Sequence, residues 1–203
     1  MLDLSPVPEL SVAVRRPADW SAATGPVLEL SNGTQPLGEA VLVRLSAVSR
    51  FRRSIGGPGL FPFTTVIRDP AGEALLSAAK NRQSLIRKAF EVDVRAAKDE
   101  QVGIACRGAT RAGVTVFTGP AGQRWAVAGV SRFRGWTVTG ADDGPELAEV
   151  ELADVAGRRK RRAGAPLRRY RVRFAEAATG HLRALIVADL VCTDLALFPR
   201  GTS

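Results

Sequence analysis

Hydrophobic and polar residues alternate with a period of two through most of this 203-residue chain, the pattern of strands with one buried face. The alternation is clearest over 39–45, 63–68, 90–94, 113–118, 124–130, 135–139, 147–152 and 168–174. It is weaker over 27–30, 74–79 and 101–106, with 10–15 as a further strand. Turn residues punctuate these runs. Asn32-Gly33 and Asp143-Gly144 are hairpin dipeptides. Asp69-Pro70-Ala71-Gly72 and Gly119-Pro120-Ala121-Gly122 put proline second and glycine fourth, a type I pattern. Weaker turn signals sit at 98–100 and 178–180. Strands follow one another with no helical period between them, which predicts an antiparallel meander. A sheet of about 12 strands must close or split to remove its edges.

The chain ends differently. Thr179 is a predicted N-cap, 182–198 a helix body, and Pro199 forbids continuation. Leu182, Leu185, Ile186, Leu190, Val191 and Leu195 cover every side of a helical wheel. A helix without a polar face has to be surrounded by protein. Packing on one side of a sheet leaves the other side wet; enclosure inside a barrel does not. The predicted fold is therefore mostly β, a closed antiparallel barrel of about 12 strands enclosing a hydrophobic C-terminal helix. Residues 26–203 form the barrel domain and residues 1–25 an N-terminal extension that contributes one strand at most.

Two repeated turn-then-strand units sharpen the picture, Asp69-Pro70-Ala71-Gly72-Glu73-Ala74-Leu75-Leu76 and Gly119-Pro120-Ala121-Gly122-Gln123-Arg124-Trp125-Ala126. With the terminal Leu-Arg-Ala-Leu-Ile-Val-Ala-Asp-Leu-Val-Cys-Thr-Asp-Leu of 182–195, they resemble the tubby C-terminal-like fold over 26–198. The LURP-one-related group is the nearest likeness, with phospholipid scramblases as cousins. The resemblance implies a central buried helix and, as in tubby proteins, recognition of phosphoinositide head groups by basic residues. Scramblases add a calcium-binding acidic segment before the final helix. Here 175–181 holds Glu176 as its one carboxylate, too few oxygens for calcium, so calcium binding and scrambling do not carry over.

Charge narrows the function. The net charge is +9, and nine basic residues lie between positions 158 and 173 with no acidic one, which leaves the rest of the chain neutral. Arg158, Arg159, Lys160, Arg161 and Arg162 form a run between Gly157 and Gly164 and read as a loop. Arg168, Arg169, Arg171 and Arg173 follow. On a strand, Tyr170, Val172 and Phe174 face inward while Arg169, Arg171 and Arg173 make an outward stripe with a spacing of about 7 Å. Arginine's planar fork suits phosphate oxygens, and a block of uncompensated charge repels itself. Arg50, Arg52 and Arg53 form a second cluster before Gly56-Gly57-Pro58-Gly59. These residues predict binding of anionic phospholipid or another polyanion. A nucleic acid or an acidic protein partner are the alternatives, and the scarcity of aromatics among the arginines argues against base stacking.

The remaining residues predict structure rather than chemistry. His181, the only histidine, falls in the first turn of the helix, without the partners of a catalytic or metal site. Asp189 and Thr193 share a helix face and predict an internal hydrogen bond, with a pocket carboxylate as the other reading of Asp189 and Asp194. Trp20, Trp125 and Trp136 are expected in the core or barrel wall, and Cys106 and Cys192 as buried thiols of a reducing compartment. No phosphate-binding loop, nucleophile elbow or zinc spacing occurs, so no enzyme activity and no cofactor or metal are expected. Residues 1–10 lack the basic start and apolar core of a signal peptide, and the longest apolar run is interrupted by Arg183, Asp189 and Asp194. The expected location is cytoplasmic, peripheral at the inner membrane face.

Overall fold

The computed structural model describes residues 3–15, 26–44, 62–81, 90–108, 114–129, 135–155 and 167–197. Twelve strands, β1 (Glu9–Arg15), β2 (Val27–Asn32), β3 (Gln35–Arg44), β4 (Phe63–Arg68), β5 (Ala74–Lys80), β6 (Phe90–Ala96), β7 (Gln101–Arg107), β8 (Thr115–Thr118), β9 (Arg124–Ala128), β10 (Gly135–Gly140), β11 (Glu146–Val155) and β12 (Arg168–Phe174), precede one helix, α1 (Gly180–Leu197). Each strand pairs antiparallel with its neighbours in sequence, and β1 closes the ring against β12. The result is a closed up-and-down barrel with no free sheet edge, as the strand pattern predicts.

The first strand belongs to this ring. Val12 stands opposite both Tyr170 of β12 and Leu30 of β2. Several strands run past their alternation, β3 and β11 the furthest. β3 starts at Gln35, with a register shift against β2 between Pro36 and Gly38 that breaks the period of two, and β11 continues through the exposed 153–155. Gly38 sits beside that shift at a φ of 154°, and a Cβ there would run into the carbonyl oxygen of Arg68. Gly38→Ala is expected to destabilise the barrel by about 2 kcal/mol in urea titration, since backbone rather than a flexible side chain blocks the space.

The two Pro-Ala-Gly units fold alike. Gly72 N donates to Asp69 O and Gly122 N to Gly119 O, both at 2.9 Å, and both glycines have positive φ, 88° and 79°. In each unit the glycine closes the turn in the left-handed region and lets the next strand start in register.

Helix α1 runs through the barrel. Its first turn is capped by Thr179, whose Oγ1 accepts from Leu182 N at 3.4 Å. Every residue from 182 to 196 is buried. Its side chains meet strands spaced around the ring: Cys192 meets Thr65 of β4, Leu185 lies where a side chain on Gly103 of β7 would be, and Asp194 meets Arg168 and Tyr170 of β12. A helix in contact with three separate walls is inside, and burying each of its leucines and isoleucines contributes about 1.5–3 kcal/mol.

Candidate functional site

Strand parity decides where the predicted basic residues go. Along β12 burial alternates strictly, with Arg169, Arg171 and Arg173 outward and Tyr170, Val172 and Phe174 inward. Arg168 shares the inward parity and is buried, so it does not belong to the outer surface. The outward stripe is also not bare. Arg173 reaches Glu149 of β11 at 2.9 Å and Glu9 of β1 at 3.4 Å, while Arg171 reaches Glu9 at 3.4 Å and Glu151 at 3.7 Å. The expectation of uncompensated charge is corrected here, because the flanking strands supply three glutamates at matching heights. Such exposed pairs contribute little stability each, but they cancel the field of the stripe. Among the described residues Arg169 makes no ion pair. Arg158, Arg159, Lys160, Arg161, Arg162, Arg50, Arg52, Arg53 and Trp20 lie outside the described residues.

The barrel interior holds ionisable groups that composition did not reveal. Asp194 accepts from Arg168 Nε at 2.7 Å and Nη2 at 2.8 Å, and from Tyr170 Oη at 2.6 Å. Burial, reinforced by the Asp194 carboxylate, pushes the Tyr170 phenol far above its ordinary range, so it stays a donor. One turn down, Arg107 Nη2 of β7 lies 3.4 Å from Asp189 Oδ2, and Thr193 Oγ1 donates to Asp189 Oδ1 at 3.4 Å, the internal bond predicted from their spacing. Burial raises the Asp189 carboxyl, against the lowering by Arg107. Lys80 of β5 is buried too, donating to the Asn81 carbonyl at 3.0 Å with its Nζ over the rings of Phe63 and Phe90. Its signal was its position, two residues on from the inward Ala78 and four from the inward Leu76.

The cysteines separate. Cys192 is buried in the helix and its thiol is pushed up to about 12 by desolvation. Cys106 is not buried but half-exposed on the outer face of β7, beside Glu91. His181 is exposed at the helix start, its ring 6.5 Å from that of Trp125.

Strand direction sorts the connections into two groups. The turns 33–34, 69–73, 97–100, 119–123, 141–145 and 175–179 join strands at the rim where α1 enters. The connections 16–26, 45–62, 81–89, 108–114, 129–134 and 156–167 all start and finish at the opposite rim, where α1 leaves. Their charges differ as sharply as their lengths. The second group, with 198–203 after the helix, contributes one, three, three, one, two, five and one basic residues in that order, sixteen of the 29 in the chain, against Asp19 alone of the 20 acidic ones. The short turns, with the N-terminal 3–8, carry Lys98 and eight acidic residues, among them Asp69, Glu73, Asp142 and Asp143. The sequence thus divides its charge between two sets of segments, net +15 in those attached to one rim and −7 in those attached to the other. All sixteen of those basic residues lie outside the described residues; the strand ends to which their segments attach do not.

No family model matches the chain, and no curated protein or solved structure matches it either. Among the described residues no helix is long and apolar enough to cross a membrane, and no group of three or more His, Cys, Asp and Glu side chains could hold a metal ion.

Proposed function

We propose that this protein is a non-enzymatic binding module that turns the long-connection rim of its barrel toward an anionic surface, with phospholipid head groups at the inner membrane face as the partner. The observation that carries this reading is the division of charge between the two sets of connections. Sixteen basic residues and one acidic residue belong to segments attached at a single rim, and the 158–162 run is the largest single share of them. The resemblance to the tubby-like group points the same way, since head-group recognition by basic residues is what it implies.

Physical chemistry supports a surface as the target. Each basic residue close to an anionic bilayer contributes about 1 kcal/mol, fading over a Debye length of about 8 Å at physiological salt. The acidic opposite rim is repelled by the same surface, so the dipole orients the barrel before contact. Because Arg171 and Arg173 are committed to glutamates, the flank of β12 adds little.

Co-sedimentation with phosphatidylcholine vesicles containing rising phosphatidylserine tests this. Bound protein is expected to rise steeply with anionic lipid, and replacing residues 158–162 by glutamine is expected to weaken binding at least about tenfold, a conservative fraction of five such contributions. Absence of binding at about 50 mM salt, where screening is weak, would sink the proposal. A gel shift whose affinity exceeds that for vesicles and falls steeply with salt would reassign the rim to nucleic acid.

A further inference from the structure

Beneath that rim the interior contains donors without acceptors. Arg107 Nε, Thr115 Oγ1 and Trp136 Nε1 are each shut off from solvent and have no hydrogen-bond partner in the structure. Such groups are rare in folded proteins, and each costs about 1–3 kcal/mol when buried unpaired.

The three belong to one locality. Arg107, the last residue of β7, stands directly opposite Thr115, the first residue of β8, so their Cβ atoms share one face at about 5 Å. The Arg107 guanidinium lies 5.6 Å from the ring centroid of Trp136 on β10 and 5.9 Å from that of Phe90 on β6. Between β8 and β10, strand β9 turns inward only the methyl groups of Ala126 and Ala128. Thr115 itself is completely buried.

The guanidinium is used on one side only. Its Nη2 has a single long contact of 3.4 Å with Asp189, whose other oxygen takes the Thr193 hydroxyl. The Nε edge faces no acceptor. Lys80 adds a second cation against the same Phe90 ring. An arginine N–H, an indole N–H and a hydroxyl, set among aromatic rings and methyl groups beside two cations, describe the complement of a small acceptor with an apolar body.

We propose that this locality binds a small monocarboxylate, one carboxylate oxygen taking the Arg107 Nε–H and the other shared by Thr115 and the Trp136 indole, with the hydrocarbon part against Phe90, Ala126 and Ala128. A phosphate would bring more lone pairs and charge than these donors satisfy. The site is separate from the surface binding proposed above and stands whether or not the rim meets a membrane.

The test uses the full chain titrated with butyrate and benzoate. Saturable shifts of the Trp136 indole and Arg107 Nε–H resonances are expected, the former assigned with Trp136→Phe, together with a rise in Tm; butyramide is expected to give neither. Thr115→Val keeps the shape and deletes one unpaired group, so the ligand-free Tm should hold or rise while butyrate affinity falls about tenfold, or about 1.4 kcal/mol. Resonances unmoved up to about 50 mM probe, well above the millimolar range of weak specific binding, would overturn the proposal. So would equal binding of butyramide. A lowered ligand-free Tm in Thr115→Val would overturn it as well, because it would mean that an internal water already satisfies the hydroxyl.

Discussion

Replacing Asp194 with alanine is expected to cost about 3–5 kcal/mol of stability, the range found when one partner of a buried ion pair is removed. Asp194 is enclosed, and its two oxygens hold three donors between 2.6 and 2.8 Å: Nε and Nη2 of Arg168 and the Tyr170 hydroxyl. Alanine would leave the buried guanidinium with its principal counter-charge gone and the phenol without its acceptor. The loss is larger than the pair's net contribution, because desolvating the two charges already cancels much of their attraction. That distinction is measurable. The double variant Arg168→Met with Asp194→Leu should recover most of the loss in urea or thermal unfolding, since it fills the space with no charge to compensate. If Asp194→Ala alone loses less than about 1 kcal/mol, Arg168 has found water or another acceptor, and the interior is wetter than the burial of α1 indicates.

The barrel was legible because each strand writes its inward face in apolar residues. Tyr170, Val172 and Phe174 define the parity of β12, and the same parity already assigned Arg168 to the inside, although charge density alone had grouped it with its outward neighbours. Glu9 was harder to see. It precedes the apolar residues of β1 and becomes a partner of Arg171 and Arg173 only once β1 is known to close against β12. The axial dipole lies between these cases. In a meander alternate connections share a rim, so the strand order already separates the basic connections from the acidic turns; charge density picked out 158–162 and the cluster of Arg50, Arg52 and Arg53, but not Arg82, Arg87 and Lys88 between β5 and β6. The unpaired donors were invisible for a plainer reason: a missing partner is a property of three-dimensional surroundings, and Arg107, Thr115 and Trp136 come from strands whose sequences show no relation to one another.

Arg183→Ala is expected to produce the second large effect, again about 3–5 kcal/mol, at the other end of the molecule. A cation in the first turn of a helix opposes the helix dipole, so its position needs a local cause. Here the guanidinium gathers backbone carbonyls. Nη1 donates to Leu4, Ser5 and Val7 at 2.9 Å, Nη2 to Ala175 at 3.0 Å and Nε to Ala178 at 2.8 Å. The group also stacks 5.2 Å from the Phe174 ring. One side chain thereby ties residues 4–7, the β12–α1 turn and the start of α1 into a plug for the acidic rim. Leu4 and Val7, buried beneath it, belong to the same core as the helix. Without the guanidinium five carbonyls lose a donor, and the 4–7 segment is held mainly by its apolar contacts. Lysine should rescue less than half of the loss, because an ammonium cannot address both flanks from one point. Hydrogen exchange gives the site-specific readout: the Val7 amide, which donates to Leu4 O at 3.0 Å, should lose protection in Arg183→Ala by far more than amides of β6 and β7 on the opposite wall. Uniform loss across the barrel would mean that Arg183 acts through global stability alone and that the plug does not open as a unit.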